Sequence, residues 1–365
     1  MRKDTDSQGK PDEAGRRDVD GLVELGRAEE LRGEPQSALE HYAEAVALLG
    51  DEGDSRVRAD VLRWMGTVHR EIGDTSEAEA LYQQSLSISE SAEYQAGEAH
   101  AINCLAIIAQ RKGEIDGAAS LYRRGARLAS LAGEHRLSGM IEQNLGVLSN
   151  IRGDLDGAFV RYRAALAAFE TADDREGMSW VLNNIGMLHT DMERFDEART
   201  SLTRGLAIAT ERSDVKMQGL CHLNIAEAFI AEGRWDDADE PCERALAIAL
   251  QRGDSLRRAD ALKFLGVLDR ERGRYDDSAK HLSTALRLAR EGEDTLLEAE
   301  ILREVGASHL GQQRVQEATE DWTRAAELFR SIDASLDAAA LEDLLQTLRE
   351  STPVSASPDT GTTGS

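Results

Sequence analysis

A small residue, Gly or Ala, returns every 40 positions through most of the chain: Gly26, Gly66, Ala106, Gly146, Gly186, Ala226, Gly266 and Gly306. An aliphatic or thioether residue precedes each of them, from Leu25 and Met65 to Leu265 and Val305. A second small column keeps the same interval twelve residues later, at Ala38, Ala78, Ala118, Ala158, Ala198, Ala238, Ser278 and Ala318. Self-similarity at a period of 20–50 residues marks a stacked array, in which each repeat buries its apolar face only against its neighbours. The repeat therefore overrides the two or three globular domains that 365 residues would otherwise suggest.

Each 40-residue unit reads as two helices joined by a polar turn. In the unit 175–214, Met178, Val181, Leu182, Ile185 and Leu188 fall at helical spacing, and Ala198, Leu202, Leu206 and Ile208 repeat the pattern. Glycines at 33, 73, 113, 153, 233 and 273 suit the left-handed residue that ends a helix. Acidic pairs such as Asp236-Asp237 and Asp276-Asp277 then open the next helix, where they complement the positive end of its dipole. This placement makes them helix-start residues rather than general acids. The small columns lie inside helices, and a mid-helix Gly costs about 0.8–1.0 kcal/mol against Ala, so six of them give up roughly 5–6 kcal/mol. Close helix–helix approach is the physical gain that offsets this.

The units run about 18–54, 55–94, 95–134, 135–174, 175–214, 215–254, 255–294 and 295–334. A last helix at 335–350 is expected to cap the array, and residues 1–17 and 351–365 are expected to be disordered tails, being polar and rich in Gly, Pro, Ser or Thr.

This pattern resembles the tetratricopeptide repeat family from about residue 18 to 334. Besides the two small columns, the resemblance rests on two further columns. One is large and mostly aromatic (Tyr42, Tyr82, Tyr122, Tyr162, Leu202, Cys242, Leu282, Trp322), and the other is small (Ala45, Ser85, Gly125, Ala165, Gly205, Ala245, Ala285, Ala325). Aromatics at the turn, Phe195, Trp235 and Tyr275, also fit. The 40-residue period and the missing closing proline depart from the standard repeat and look like the variant found in kinesin light chain and Pins/LGN-type adaptors. The resemblance implies an all-α, right-handed superhelical solenoid of about eight helix-turn-helix repeats with a C-terminal capping helix. It also implies a concave groove lined by the first helices.

Asn144, Asn184 and Asn224 stand 40 apart on those first helices, with Asn103, Gln143 and Asn183 beside them. Asn is a poor mid-helix residue, and a carboxamide offers both a donor and an acceptor to an extended peptide. In family members with peptide ligands, an Asn in this place contacts the peptide backbone. The alternative is a ladder of hydrogen bonds between repeats. Trp64, Trp180 and Phe264 are candidate apolar anchors or groove fillers, and Arg63, Lys263 and Arg303 are candidates to meet a carboxylate.

Composition narrows the partner. With 68 acidic against 43 basic residues the net charge is −25, which repels nucleic acid and anionic lipid and is compatible either with a basic partner or with a simply well-solvated acidic surface. No run of 18 apolar residues and no signal-peptide core is present. Three cysteines, Cys104, Cys221 and Cys242, form no C-x-x-C pair and argue against a disulfide framework. There is no HExxH, P-loop, GxGxxG after a strand or GxSxG. His69, His189 and His309 share one repeat column, 120 residues apart, too distant to bind one metal.

The expectation is thus a cytoplasmic, non-enzymatic adaptor or scaffold, without cofactor or metal, monomeric or weakly oligomeric. It would hold a protein or peptide segment that is basic or carries apolar anchors, and would bind neither nucleic acid nor membrane. The rival readings are a ligand-gated regulator that senses a signalling peptide, and a self-assembling structural repeat protein.

Overall fold

In a computed structural model, residues 13–50, 53–332 and 334–351 are described. These residues form seventeen helices and no strand. The helices are α1 (Glu13–Arg32), α2 (Pro35–Leu49), α3 (Ser55–Glu71), α4 (Thr75–Ser91), α5 (Gln95–Arg111), α6 (Ile115–Ala132), α7 (His135–Ile151), α8 (Leu155–Thr171), α9 (Arg175–Asp191), α10 (Phe195–Glu211), α11 (Val215–Ala231), α12 (Trp235–Arg252), α13 (Ser255–Glu271), α14 (Tyr275–Glu291), α15 (Thr295–Gly311), α16 (Val315–Ser331) and α17 (Ser335–Ser351). Helix α1 begins at Glu13, inside the stretch expected to be tail, while residues 1–12 and 352–365 lie outside the described residues.

The chain divides into two compact units, Met1–Val181 and Leu182–Ser365, each an all-α stack of antiparallel helix pairs. From α3 onward a helix starts every 20 residues, mostly after 17 residues of helix and three of turn. One left-handed residue per turn makes this spacing possible. Glycine supplies it at 33, 73, 113, 133, 153, 233, 253 and 273. Six turns use another residue instead: Glu93, Asp173, Glu193, Ser213, Glu293 and Gln313, at φ from 50° to 61°. Such a conformation costs a non-glycine residue about 1–2 kcal/mol. The following N–H then reaches back five positions, from Asp74 to the His69 carbonyl at 2.8 Å and from Arg234 to that of Phe229 at 2.9 Å. Aspartates cap many of the first helices: Asp54, Asp214, Asp254 and Asp294 accept backbone N–H groups in the first turn.

The columns of small and large residues meet inside each helix pair. A Cβ added at Gly66 would lie 2.7 Å from the Tyr82 ring, one at Gly146 2.5 Å from that of Tyr162, and one at Gly266 2.7 Å from Leu282 Cγ. Gly26, Gly186 and Gly306 face Tyr42, Leu202 and Trp322 in the same way, always sixteen residues on. Where the small column is Ala226, the facing residue is Cys242, and the two pack in one buried cluster. Three polar tips of the large column find partners, Tyr82 Oη meeting Thr67 Oγ1 at 3.3 Å, Tyr122 Oη donating to Gln110 at 3.0 Å and Trp322 Nε1 donating to the Arg303 carbonyl at 2.9 Å, while the buried Tyr42 Oη has none. The second small column is fully buried from Ala38 through Ala238 and at Ser278 and Ala318.

Cys104, Cys221 and Cys242 are buried free thiols, and burial pushes those of Cys221 and Cys242 up to about 12. They act as small core residues. His309 bonds Asp321 through Nδ1 at 2.7 Å, and one repeat earlier the same slot holds Asp269 and His281 with the residues exchanged.

The packing account makes a direct prediction. Gly266→Ala should lower stability by about 1–3 kcal/mol through overpacking, despite the better helix propensity of Ala. Leu282→Cys, which copies the Ala226–Cys242 pair, should absorb much of that loss. Urea unfolding of the double-mutant cycle would show a coupling of about 1 kcal/mol or more; additive effects would count against the contact.

Candidate functional site

Two adjacent columns on the first helices hold the sequence candidates other than Trp180. One runs Arg63, Asn103, Gln143, Asn183, Leu223, Lys263, Arg303, and the next runs Trp64, Cys104, Asn144, Asn184, Asn224, Phe264, Glu304.

In the unit Met1–Val181, helix α5 packs against both α3 and α7. Asn103 is only 4% exposed, and its Oδ1 has no hydrogen-bond partner. One repeat on, the buried Gln143 Oε1 lacks a partner as well. Asn144 is half-buried. Arg63 is tied to Asp60 at 3.0 Å, and Tyr94 Oη donates to the same carboxylate at 3.1 Å. His100, which follows Asp60 by 40 residues, is pushed down to about 4 by burial, with Arg63 adding to the effect. It is therefore neutral at ordinary pH. Trp64 is half-buried, with the Arg27 guanidinium 4.1 Å over its ring and Tyr42 at 6.2 Å, so its ring fills space within the stack. Trp180, on α9, is also half-buried.

In the unit Leu182–Ser365, the amides behave differently. Asn224 Nδ2 donates to Asn183 Oδ1 at 2.8 Å, and Asn183 Nδ2 reaches Met187 Sδ at 3.6 Å. This pair forms a bridge between neighbouring repeats, the alternative considered for the column. Asn184 is half-buried. A cavity of about 310 Å³ opens beside them, lined from α9, α11, α13 and α15, all first helices, and by Asp294 at the α15 cap. Phe264 forms part of its wall while packing inward on Leu223, Ala245 and Ala261.

The two expected cations of this unit are engaged within the chain. Lys263 Nζ lies 2.5 Å from Glu300 and 3.9 Å from Asp260. Burial alone would lower its pKa, but these carboxylates outweigh burial and hold the ammonium above its usual value. Arg303 contacts Glu304 at 3.3 Å and Asp337 at 3.4 Å. The carboxylates Glu227, Asp260 and Glu300 were not singled out from the sequence. A signal was present: Asp20, Asp60, Asp260 and Glu300 occupy one repeat column, three residues before the Arg63 and Lys263 column.

The sequence signature of the tetratricopeptide repeat matches residues 20–91, 140–211 and 220–291, more than half of the chain. The chain belongs to the tetratricopeptide repeat family. Two helix pairs outside that match, α5–α6 and α15–α16, have the same length as those inside this tetratricopeptide repeat array. No curated protein sequence matches it.

Several solved structures share the fold. A Rap protein complexed with competence and sporulation factor is 14% identical, with a TM-score of 0.60 over 93% of this chain and 99% of that one. The Rap conjugation gene regulator of the plasmid pLS20, in complex with the Phr* peptide, is 16% identical, with a TM-score of 0.57 over 76% and 75%. A signal transduction ATPase with a tetratricopeptide repeat sensor from Pyrococcus horikoshii is 14% identical, with a TM-score of 0.63 over 91% of this chain. The present chain spans about half of that protein, 49%. At these identities the likeness is one of fold.

The amides of this tetratricopeptide repeat protein separate into two classes by their partners, and stability measurements should separate them too. Asn224→Ala removes the donor to a buried carbonyl and should cost about 1–3 kcal/mol. Asn103→Leu removes a buried oxygen that has no partner and should be neutral or stabilising. Thermal and urea unfolding of the two variants checks the contrast; equal losses would contradict it.

Proposed function

We propose that this chain is a protein- or peptide-binding adaptor whose first helices hold an extended segment. The observation that carries the reading is the pair of buried, unpartnered acceptors, Asn103 Oδ1 and Gln143 Oε1, one repeat apart on α5 and α7. Buried polar atoms are almost always hydrogen-bonded in folded proteins, so two orphans in one column leave acceptors that a donor from outside the chain would satisfy. A peptide backbone presents N–H donors at regular intervals, and each bond made there replaces an unmet one rather than a hydration shell.

The likeness of fold to two Rap proteins bound to a factor or a peptide supports the same reading. It also keeps the ligand-gated regulator in view as a second reading, in which the bound segment changes what the protein does to others. The net charge of −25 favours a basic segment and disfavours nucleic acid. No described helix is long and apolar enough to cross a membrane, and we infer a cytoplasmic binding protein rather than an enzyme.

The test is affinity capture from native lysate with quantitative mass spectrometry, comparing the wild type with Asn103→Leu, Gln143→Leu after circular dichroism shows equal helicity. The reading predicts partners recovered by the wild type and lost from the double variant. Equal recovery by both proteins would exclude these amides as the binding contacts.

A further inference from the structure

The cavity walled by α9, α11, α13 and α15 carries more acid than its own cations satisfy. Four carboxylates line it, those of Glu227, Asp260, Asp294 and Glu300, against Arg257 and Lys263. Three of the four have partners. Asp294 accepts the Leu297 N–H at 2.9 Å, Asp260 takes Arg257 at 2.7 Å, and Glu300 takes Lys263 at 2.5 Å. Glu227 is the remainder: among the described residues it makes no hydrogen bond and no ion pair. Glu227 is exposed as a residue, although the cavity walls crowd its carboxyl. Burial raises its pKa, Lys263 opposes the rise, and Glu300, Asp191 and Asp260 add to it. The neighbouring carboxylates thus disfavour a charge at Glu227 that a cationic side chain would stabilise.

The same cavity displays apolar surface to solvent. Met187 is 42% exposed and Leu296 47% exposed, both on its lining. A small inorganic cation would leave these side chains uncovered and would find only one carboxylate free. A segment that combines a positive charge with an apolar neighbour meets both features, and the acidic field of the chain steers it inward.

We propose that this groove takes an extended segment of a basic partner, setting one Lys or Arg side chain against Glu227 and an aliphatic or aromatic side chain against Met187 and Leu296. The inference rests on the peptide-binding reading above and adds the chemical class of the ligand. It places selection for charge at Glu227, apart from the amide contacts at Asn103 and Gln143.

The test uses the full chain immobilised and three pooled octapeptide libraries, randomised except at one central position fixed as lysine, norleucine or glutamate. Retained peptides are quantified by mass spectrometry. The lysine pool should be retained about tenfold more than the norleucine pool, as for a charge-assisted contact of moderate strength, with the difference shrinking as salt is added. Glu227→Gln, which preserves shape, should reduce that preference to about twofold or less while norleucine retention stays unchanged. If the wild type retains norleucine as well as lysine, or Glu227→Gln keeps the preference, the inference fails and the peptide-binding reading stands. If no pool is retained, both fail.

Discussion

The contact between a glycine on one helix and a large residue sixteen positions later sets the geometry of every other layer. Without a Cβ, Gly66 or Gly146 lets the ring of Tyr82 or Tyr162 lie against the first helix itself. The cost in helix propensity, about 0.8–1.0 kcal/mol for each such glycine, is offset by burial of a side chain that contributes roughly 1.5–3 kcal/mol. The contact also favours one register of the two helices, the one that sets the large residue against the smallest position of the first helix, Gly or Ala. A left-handed residue every 20 positions returns the chain at the right distance for the next pair.

Once packing is confined to this seam, the outward face of the first helices is released from structural duty. Much of the protein's charge is spent elsewhere, in pairs between neighbouring repeats such as Lys112–Glu79, Arg124–Glu90 and Arg272–Asp239. Exposed pairs of this kind contribute about 0–1 kcal/mol each, so they tune the stack more than they hold it. The first helices retain unmet groups of their own, amide oxygens without donors in one unit and a carboxylate without a hydrogen-bonded cation in the other. Their incompleteness in the free protein suits them to a ligand.

The 40-residue period made the helix pairs, their small columns and the glycine turns legible in the sequence, since each is a local or periodic property. Which column faces which was not legible: that Gly266 meets Leu282, or Ala226 meets Cys242, depends on how two helices cross. The left-handed residues at Glu93, Asp173 and Glu193 were hidden because nothing in those side chains announces the conformation; only their place in the period does. Asn103 and Asn183 occupy the same column and each has an Asn 41 residues on, Asn144 and Asn224, yet Asn224 bonds Asn183 while the Asn103 oxygen lacks a partner, a difference of side-chain placement that the repeat pattern does not carry. Lys263 looked available for a ligand carboxylate because its partner Glu300 is 37 residues away in sequence and one repeat away in the stack.

The central claim is that the second helices build the seam while the first helices meet the partner. Hydrogen–deuterium exchange of the full chain, with and without a captured segment, tests it most directly. The account predicts added protection in α5, α7, α11 and α13, with α6, α8, α12 and α14 unchanged. Protection gained chiefly in the second helices would contradict it.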